Sequence, residues 1–243
     1  MAKDGKIAVL VLTPTPTERA GIAGRLDGAT FRRIAPEVIE CGAGKINAAL
    51  TLAATVSGLP PGSAPPIIAG VGTSGSLSLE IAGGEVVFSL DSIVADWRHD
   101  DGRESLVGPY GTFIYGPADP EMVEAMAIRS SSPLLARLQE LLSGQGFRTG
   151  RVLTSDAFIA SREHKLRLGR TFGALVCDME SGAFAWTARR LGDLPWFNLR
   201  AVADTLDETL SDYFDKEKDV TLALGDRTLE ALTALDVILE ERA

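Results

Sequence analysis

The chain predicts an α/β domain built on a mainly parallel β-sheet. Three observations carry that expectation. Short apolar runs rich in Val, Ile and Leu alternate with helical patterns along the 243 residues. Glycines and small polar residues gather just behind several of those runs, where strands end and connections begin. With 45% hydrophobic and 23% charged residues and no linker-like tract, the chain reads as a single domain over residues 1–243.

The elements follow in order. Lys6–Thr13 is the first strand, and its apolar run is too short to span a membrane. Glu18–Leu26 is a short helix after a Pro-rich turn. Glu37–Cys41 is a strand that enters Gly42-Ala43-Gly44, and Asn47–Val56, rich in Ala and Leu, is a helix. Pro66–Val71 is a buried strand ending in a Gly-rich turn, and Glu85–Val94 is a longer strand. Leu134, Leu135, Leu138, Leu141 and Leu142 fall at helical spacing within Ser132–Leu142. Arg151–Ser155, Ala174–Cys177 and Pro195–Val202 are three more strands. Helices follow at Ser181–Leu191 and from about Val220 to Glu241. The stretch Leu59–Pro66 reads as a surface loop. His99–Pro120, with Tyr110, Phe113 and Tyr115, reads as a mobile loop, a subunit contact or part of a pocket wall.

Bulk properties narrow the function. A net charge of −9 repels phosphate backbones, so nucleic acid is not the expected partner, and nor is a membrane. Two cysteines, Cys41 and Cys177, are too few for a disulfide framework and suit a reducing, cytoplasmic setting. The only histidines, His99 and His164, have no Cys or carboxylate at ligand spacing, so no metal is expected. Acid–base chemistry then falls to carboxylates.

Two motifs are decoys. Gly42-Ala43-Gly44-Lys45 lacks the glycine a phosphate loop needs at Ile39 and the Ser or Thr it needs at Ile46. Gly70-Val71-Gly72-Thr73-Ser74-Gly75 matches a dinucleotide fingerprint, but alternating Ser76-Leu77-Ser78-Leu79 follows where a helix should open. A tight turn beside some other small ligand is the expectation there.

Ligands of open α/β sheets gather at the carboxyl ends of strands, so the residues behind strands carry the most information. Three groups of them resemble one family. Cys41–Ala49 is similar to the Gly-x-Gly-Lys segment of the nucleoside phosphorylase/nucleosidase family. Gly70–Leu77 followed by Gly83-Gly84-Glu85-Val86-Val87 resembles its Gly-Ser-rich turn and next strand. Val152–Ile159, Cys177-Asp178-Met179-Glu180-Ser181 and Arg200-Ala201-Val202-Ala203-Asp204 resemble its base- and ribose-binding half. The ordered set spans roughly Lys6 to Phe214, and within the family it is most similar to the methylthioadenosine/S-adenosylhomocysteine nucleosidases. The resemblance implies a three-layer α/β/α domain with a mixed central sheet.

It also implies roles. Asp204 matches the acid that protonates the departing purine, a task that burial favours by holding the proton on near neutral pH. Read alone, Asp204 is equally a capping residue at a strand-to-helix turn. Glu180 matches the carboxylate on the ribose hydroxyls, with Met179 against the sugar face; read alone, it is a Glu favoured by a helix N-terminus. Phe158 would stack on the base, backbone groups there or at Ile159 would read its edge, and Phe214 would cover the site. Glu18 matches the water-activating carboxylate, although the preceding loop carries about two extra residues; Thr73 and Arg200 would help to hold the water.

The family divides by what attacks the sugar. Phosphorylases hold a phosphate with an arginine just ahead of the Gly-Ser segment, where this chain has Gly70. Hydrolysis is therefore favoured, with Arg19 the main objection, since it could turn inward onto phosphate. Departures from the pattern are Thr73 for Ser, Asp178 for Glu, and Ala203 where a Ser usually precedes the acid. The implied activity is a purine nucleoside N-ribohydrolase releasing adenine from 5′-substituted adenosines such as methylthioadenosine or S-adenosylhomocysteine. The alternatives are a futalosine-type nucleosidase and a purine nucleoside phosphorylase. No cofactor is implied. The expected partners are the nucleoside and a second copy of the chain, a dimer being favoured, with Tyr110–Tyr115 as the candidate contact.

Overall fold

The fold comes from a computed structural model that describes residues 5–95, 98–100, 104–107, 113–114, 120–208 and 210–242. The first half runs β1 (Ile7–Thr13), α1 (Pro16–Leu26), β2 (Ile34–Glu40), α2 (Lys45–Ser57), β3 (Ile67–Ser76), β4 (Val86–Ser89) and β5 (Asp91–Val94). Next come β6 (Arg98–Asp100), β7 (Glu104–Val107), β8 (Phe113–Ile114), α3 (Pro120–Met126), β9 (Ile128–Arg129), α4 (Pro133–Ser143) and β10 (Arg148–Thr149). The chain closes with β11 (Arg151–Thr154), α5 (Arg162–Phe172), β12 (Ala174–Asp178), α6 (Ser181–Arg190), β13 (Trp196–Asp204) and α7 (Leu210–Glu240).

Ten strands join one sheet, in the order β10-β4-β13-β3-β12-β11-β5-β9, with β1 and β2 branching from β3. Parallel pairs dominate, but β12–β3, β13–β4 and β5–β9 are antiparallel, so the sheet is mixed. Only Leu90 separates β4 from β5, so the path from β4 through β13, β3, β12 and β11 to β5 returns on itself as a ring. Val87, Val152, Val176 and Val202, one from each of four ring strands, pack together with Ile81.

Strand alternation sorts side chains onto two helical layers. In β1, Val9 and Val11 join a cluster with Ile22 of α1, Leu135 and Leu138 of α4, and Leu224 and Leu235 of α7. Leu10 and Leu12 join the opposite cluster, with Leu52 of α2 and Phe184 of α6. Helices thus cover both faces, giving the α/β/α layering expected. Burying a side chain such as Leu235 completely contributes about 1.5–3 kcal/mol against an exposed reference.

Several expectations change: α7 begins at Leu210 rather than near Val220, and strands β6 to β8 lie in the stretch His99–Pro120 read as a loop. The predicted single strand over Glu85–Val94 is two strands, because the Ser89 hydroxyl donates to Asp91 O and accepts from Asp91 N, bending the chain at Leu90. The predicted turn at Gly70–Gly75 is instead the buried second half of β3. Its glycines are there for close approach rather than for turning, since none has a positive φ. A Cβ on Gly70 would lie 2.2 Å from Asn198 Oδ1, and one on Gly72 would lie 2.4 Å from Arg200 Nη1. Helix α5 escaped the sequence reading because a lysine interrupts its apolar stripe: Lys165, Leu168, Gly169 and Phe172 are the buried positions. Most of the Tyr110–Tyr115 segment, including both tyrosines, lies outside the described residues.

Candidate active site

A cavity of about 320 Å³ opens where β1, β3, β11, β12 and β13 end. Its wall includes Pro14, Thr15 and Glu18; Thr73 to Gly75; Ala157, Phe158 and Ile159; Cys177 to Glu180; and Asp204. Ala43 and Glu217 complete it. Of the residues singled out in the sequence, Glu18, Thr73, Phe158, Ile159, Met179, Glu180 and Asp204 line this one space. Arg200 lies behind it, and the side chain of Phe214 lies outside the described part of the molecule.

Glu18 reaches its place through local rules. Thr15 caps α1, Pro16 opens it, and Glu18 sits three residues beyond the cap, forming a capping box. Its Oε2 accepts from Thr15 N at 2.9 Å and lies 3.0 Å from Thr15 Oγ1. Its Oε1 accepts from Thr73 N at 2.7 Å and Thr73 Oγ1 at 2.9 Å. Burial pushes its carboxyl above the usual range, against the pull of Thr73 and of the Arg200 charge. The adjacent Arg19 is exposed and is not among the residues that line the cavity.

Arg200, fully buried in β13, ties the site together. Its Nε lies 2.9 Å from both Ser181 Oγ and Asp178 Oδ2, and its Nη1 lies 3.6 Å from Glu180 Oε2. Neither Nη1 nor Nη2 has a hydrogen-bond partner among the described residues. Gly72 makes room for this guanidinium and for Glu18 Oε1, which a Cβ there would approach at 3.0 Å. Asp178 is held in turn by Thr154 Oγ1, which donates at 2.7 Å, and by Ser181 N at 2.9 Å.

Glu180 is the N-cap residue of α6, but its side chain makes no capping hydrogen bond. It accepts instead from Gly44 N at 2.8 Å. Gly44 holds φ +91°, a conformation that other residues adopt only under strain, and so turns its N–H toward the carboxylate. Burial raises Glu180 to about 8, with Arg200 opposing. The neighbouring Lys45 grips Asp156 from its backbone N at 3.1 Å and from Nζ at 2.6 Å, which fixes the loop carrying Phe158. Phe158 keeps 41% of its surface exposed on the cavity side.

Asp204 stands at the other end, against Gly75, where a Cβ would come within 2.8 Å of Oδ1. Burial raises its carboxyl, and a cation that the sequence reading missed pulls it back: Lys165 Nζ donates to Asp204 Oδ2 at 2.5 Å. The sequence signal was a lysine inside the buried stripe of α5. Cys177, free and buried, lines the same cavity, and burial pushes its thiol up to about 12. Glu217 was missed as well; it lies 3.3 Å from Thr15 Oγ1, whose single hydrogen also serves Glu18.

Fold and cavity together define a class, and comparison with known proteins agrees. Residues 28–235 match the family model of the phosphorylase superfamily, and the chain belongs to that family. The matched span begins after Glu18, so the placement of that residue rests on the geometry above. A curated relative, the 5′-methylthioadenosine/S-adenosylhomocysteine nucleosidase of Treponema pallidum, is 27% identical over 208 residues, 77% of this chain and 72% of the relative. Among solved structures, the methylthioadenosine/S-adenosylhomocysteine nucleosidase of Helicobacter pylori aligns with a TM-score of 0.74 at 19% identity, covering 94% of this chain and 99% of that one. The futalosine hydrolase of the same organism aligns with a TM-score of 0.71 at 19% identity, covering 94% and 97%. Among the described residues, no helix is long and apolar enough to cross a membrane.

Proposed function

We propose that this chain is a purine nucleoside N-ribohydrolase, releasing adenine from 5′-substituted adenosines such as methylthioadenosine or S-adenosylhomocysteine. One observation carries the reading: two buried carboxylates with raised proton affinity, Asp204 and Glu18, face one cavity, with Glu180 also in its wall. In this reading the base lies on Phe158 with its edge at Asp204 and Ile159, and Glu180 accepts hydrogen bonds from the ribose hydroxyls over Met179. The bond between C1′ and the base breaks, and its electron pair leaves with the base. Asp204 gives that base a proton, which makes it a better leaving group. A water oxygen bonds to C1′ while Glu18 takes one of its protons, helped by Thr73 and by Arg200, whose Nη1 and Nη2 make no hydrogen bond among the described residues. Solvent exchange then returns Asp204 and Glu18 to their starting states.

Charge favours water over phosphate as the attacking group. Arg200 already stands among Glu18, Asp178 and Glu180, so a phosphate dianion would enter an excess of negative charge. Position 70 has no room for a side chain, and Arg19 is not part of the cavity wall. A carboxylate at Asp204 suits a 6-amino purine, which offers N–H donors, better than a 6-oxo base.

The working assembly in this proposal is a dimer. Ile46 and Leu50 support it, exposed one turn apart on α2 just behind Gly44. The free, buried cysteines suit a cytoplasmic location.

The test is base release from methylthioadenosine, S-adenosylhomocysteine, adenosine, inosine and futalosine, with and without phosphate. Adenine appearing equally fast without phosphate is the expected result. Release that requires phosphate would make the chain a phosphorylase, and faster hypoxanthine release from futalosine than base release from any other substrate would favour the futalosine reading. No release from any substrate by folded protein would overturn the proposal.

A further inference from the structure

Lys165 is a buried cation in a costly position. It has no exposed surface, and α5 presses it inward: one turn later, a Cβ on Gly169 would lie 2.2 Å from Leu77 O. An ammonium removed from water destabilises a fold unless charge and hydrogen bonds compensate, and apolar side chains often replace such buried pairs without loss. Here the compensation is specific. Nζ donates to Asp204 Oδ2 at 2.5 Å and to Thr205 O at 2.7 Å, so it spans the acid and the residue after it. Ala203, the residue before the acid, offers no side-chain donor. The same residues mark a bulge, where pairing of β13 with β3 shifts between Val202 and Asp204. A carboxylate at an irregular strand end is not oriented by the ladder alone.

We infer that Lys165 is a positioning residue for Asp204: it holds Oδ2 from α5, so that Oδ1 is presented to the purine, and it sets the strength of the acid. The inference rests on the hydrolase reading. Its physical content is a competition. Burial makes Asp204 keep its proton, and the Lys165 charge makes it give the proton up more readily. The other groups around the acid act less directly. Glu208, in the turn before α7, raises the proton affinity of Asp204 but is itself paired with Lys216. Cys177 of β12 is held neutral by burial. Arg162, on the first turn of α5, pairs with Asp207.

The sign of the pH effect follows. Turnover needs Asp204 protonated, so activity is lost as pH rises through its proton affinity. Removing the Lys165 charge raises that affinity, and the alkaline limb of the profile moves to higher pH.

The experiment compares Lys165→Met and Lys165→Gln with wild type in adenine release from methylthioadenosine across pH. Lys165→Met should lower kcat about tenfold to a hundredfold, the value of one hydrogen bond to a charged group, with little change in KM. Lys165→Gln should recover part of kcat, because a neutral donor still orients Oδ2, yet keep the displaced alkaline limb. If Lys165→Met does not fold, the limb of Lys165→Gln decides. A folded variant with wild-type kcat and pH profile would overturn the inference. So would losses that simply add when Lys165→Met is combined with Asp204→Asn, since a residue acting only through Asp204 has nothing left to position. A wild type that releases no base would defeat the hydrolase reading instead, which separates the two failures.

Discussion

Asp204 and Glu18 are both buried carboxylates on one cavity, and both are pushed toward holding a proton. Their surroundings differ. Glu18 accepts from uncharged donors of Thr15 and Thr73, with the Arg200 charge near it but not hydrogen-bonded to it, and it also caps the helix that carries it. Asp204 is held by an ammonium from a helix 39 residues away. Neutral hydrogen bonds, with the nearby Arg200 charge shared with Asp178 and Glu180, leave Glu18 the more basic, which suits a group that must take a proton from water. A cationic partner makes its carboxylic acid stronger, which suits a group that must give a proton away. The same residue chemistry is turned to opposite tasks by what each carboxylate touches.

The strongest test of this contrast removes each charge in turn. Asp204→Asn and Glu18→Gln should each lower kcat by about a hundredfold to ten-thousandfold, the range of one general acid or base. Their stabilities should diverge. Asp204→Asn strands a buried ammonium and should cost about 3–5 kcal/mol in chemical denaturation, whereas Glu18→Gln weakens a capping box and should cost about 1 kcal/mol. A Glu18→Gln enzyme with near wild-type kcat would reduce Glu18 to a helix cap and end the comparison.

Two glycines of β3 allow a finer cut. Gly72→Ala drives a methyl into Arg200 and Glu18, while Gly75→Ala drives one into Asp204. Each overpacking should cost about 1–3 kcal/mol of stability. Gly72→Ala should lower kcat while leaving the alkaline limb in place, and Gly75→Ala should move that limb. The same shift in both variants would mean that the two ends are not independent. The smallest effect is expected at Phe158, which is already 41% exposed. Phe158→Ala should raise KM by about three- to tenfold through lost stacking and leave the melting temperature nearly unchanged. A fall in kcat at constant KM would mean that Phe158 positions the base for reaction rather than binding it.

Much of this arrangement was legible in the chain. The apolar run of Lys6–Thr13 marked β1, and the structure packs its Val9 and Val11 on one face and Leu10 and Leu12 on the other. The candidate residues behind the strands line one cavity because strands of a mainly parallel sheet deliver their ends to one edge. The Thr15-x-x-Glu18 spacing is itself a capping-box signature that anchors Glu18 without reference to any relative. What misled was the reading of glycine. Gly70, Gly72 and Gly75 look like a turn in one dimension, and only the positions of Asn198, Arg200 and Asp204 reveal that they clear space inside a strand.

The sequence by itself determined the α/β class and most of its strands and helices. Those follow from backbone geometry over a few residues, which periodicity and capping express directly. Tertiary structure alone decided which groups meet. Lys165 finds Asp204, Gly44 finds Glu180 across 136 residues, and Glu217 finds Thr15 across 202. Such contacts depend on strand register and on how closely a helix settles on its sheet. An Å of displacement there separates a hydrogen bond from a gap, and no local pattern in the chain records it.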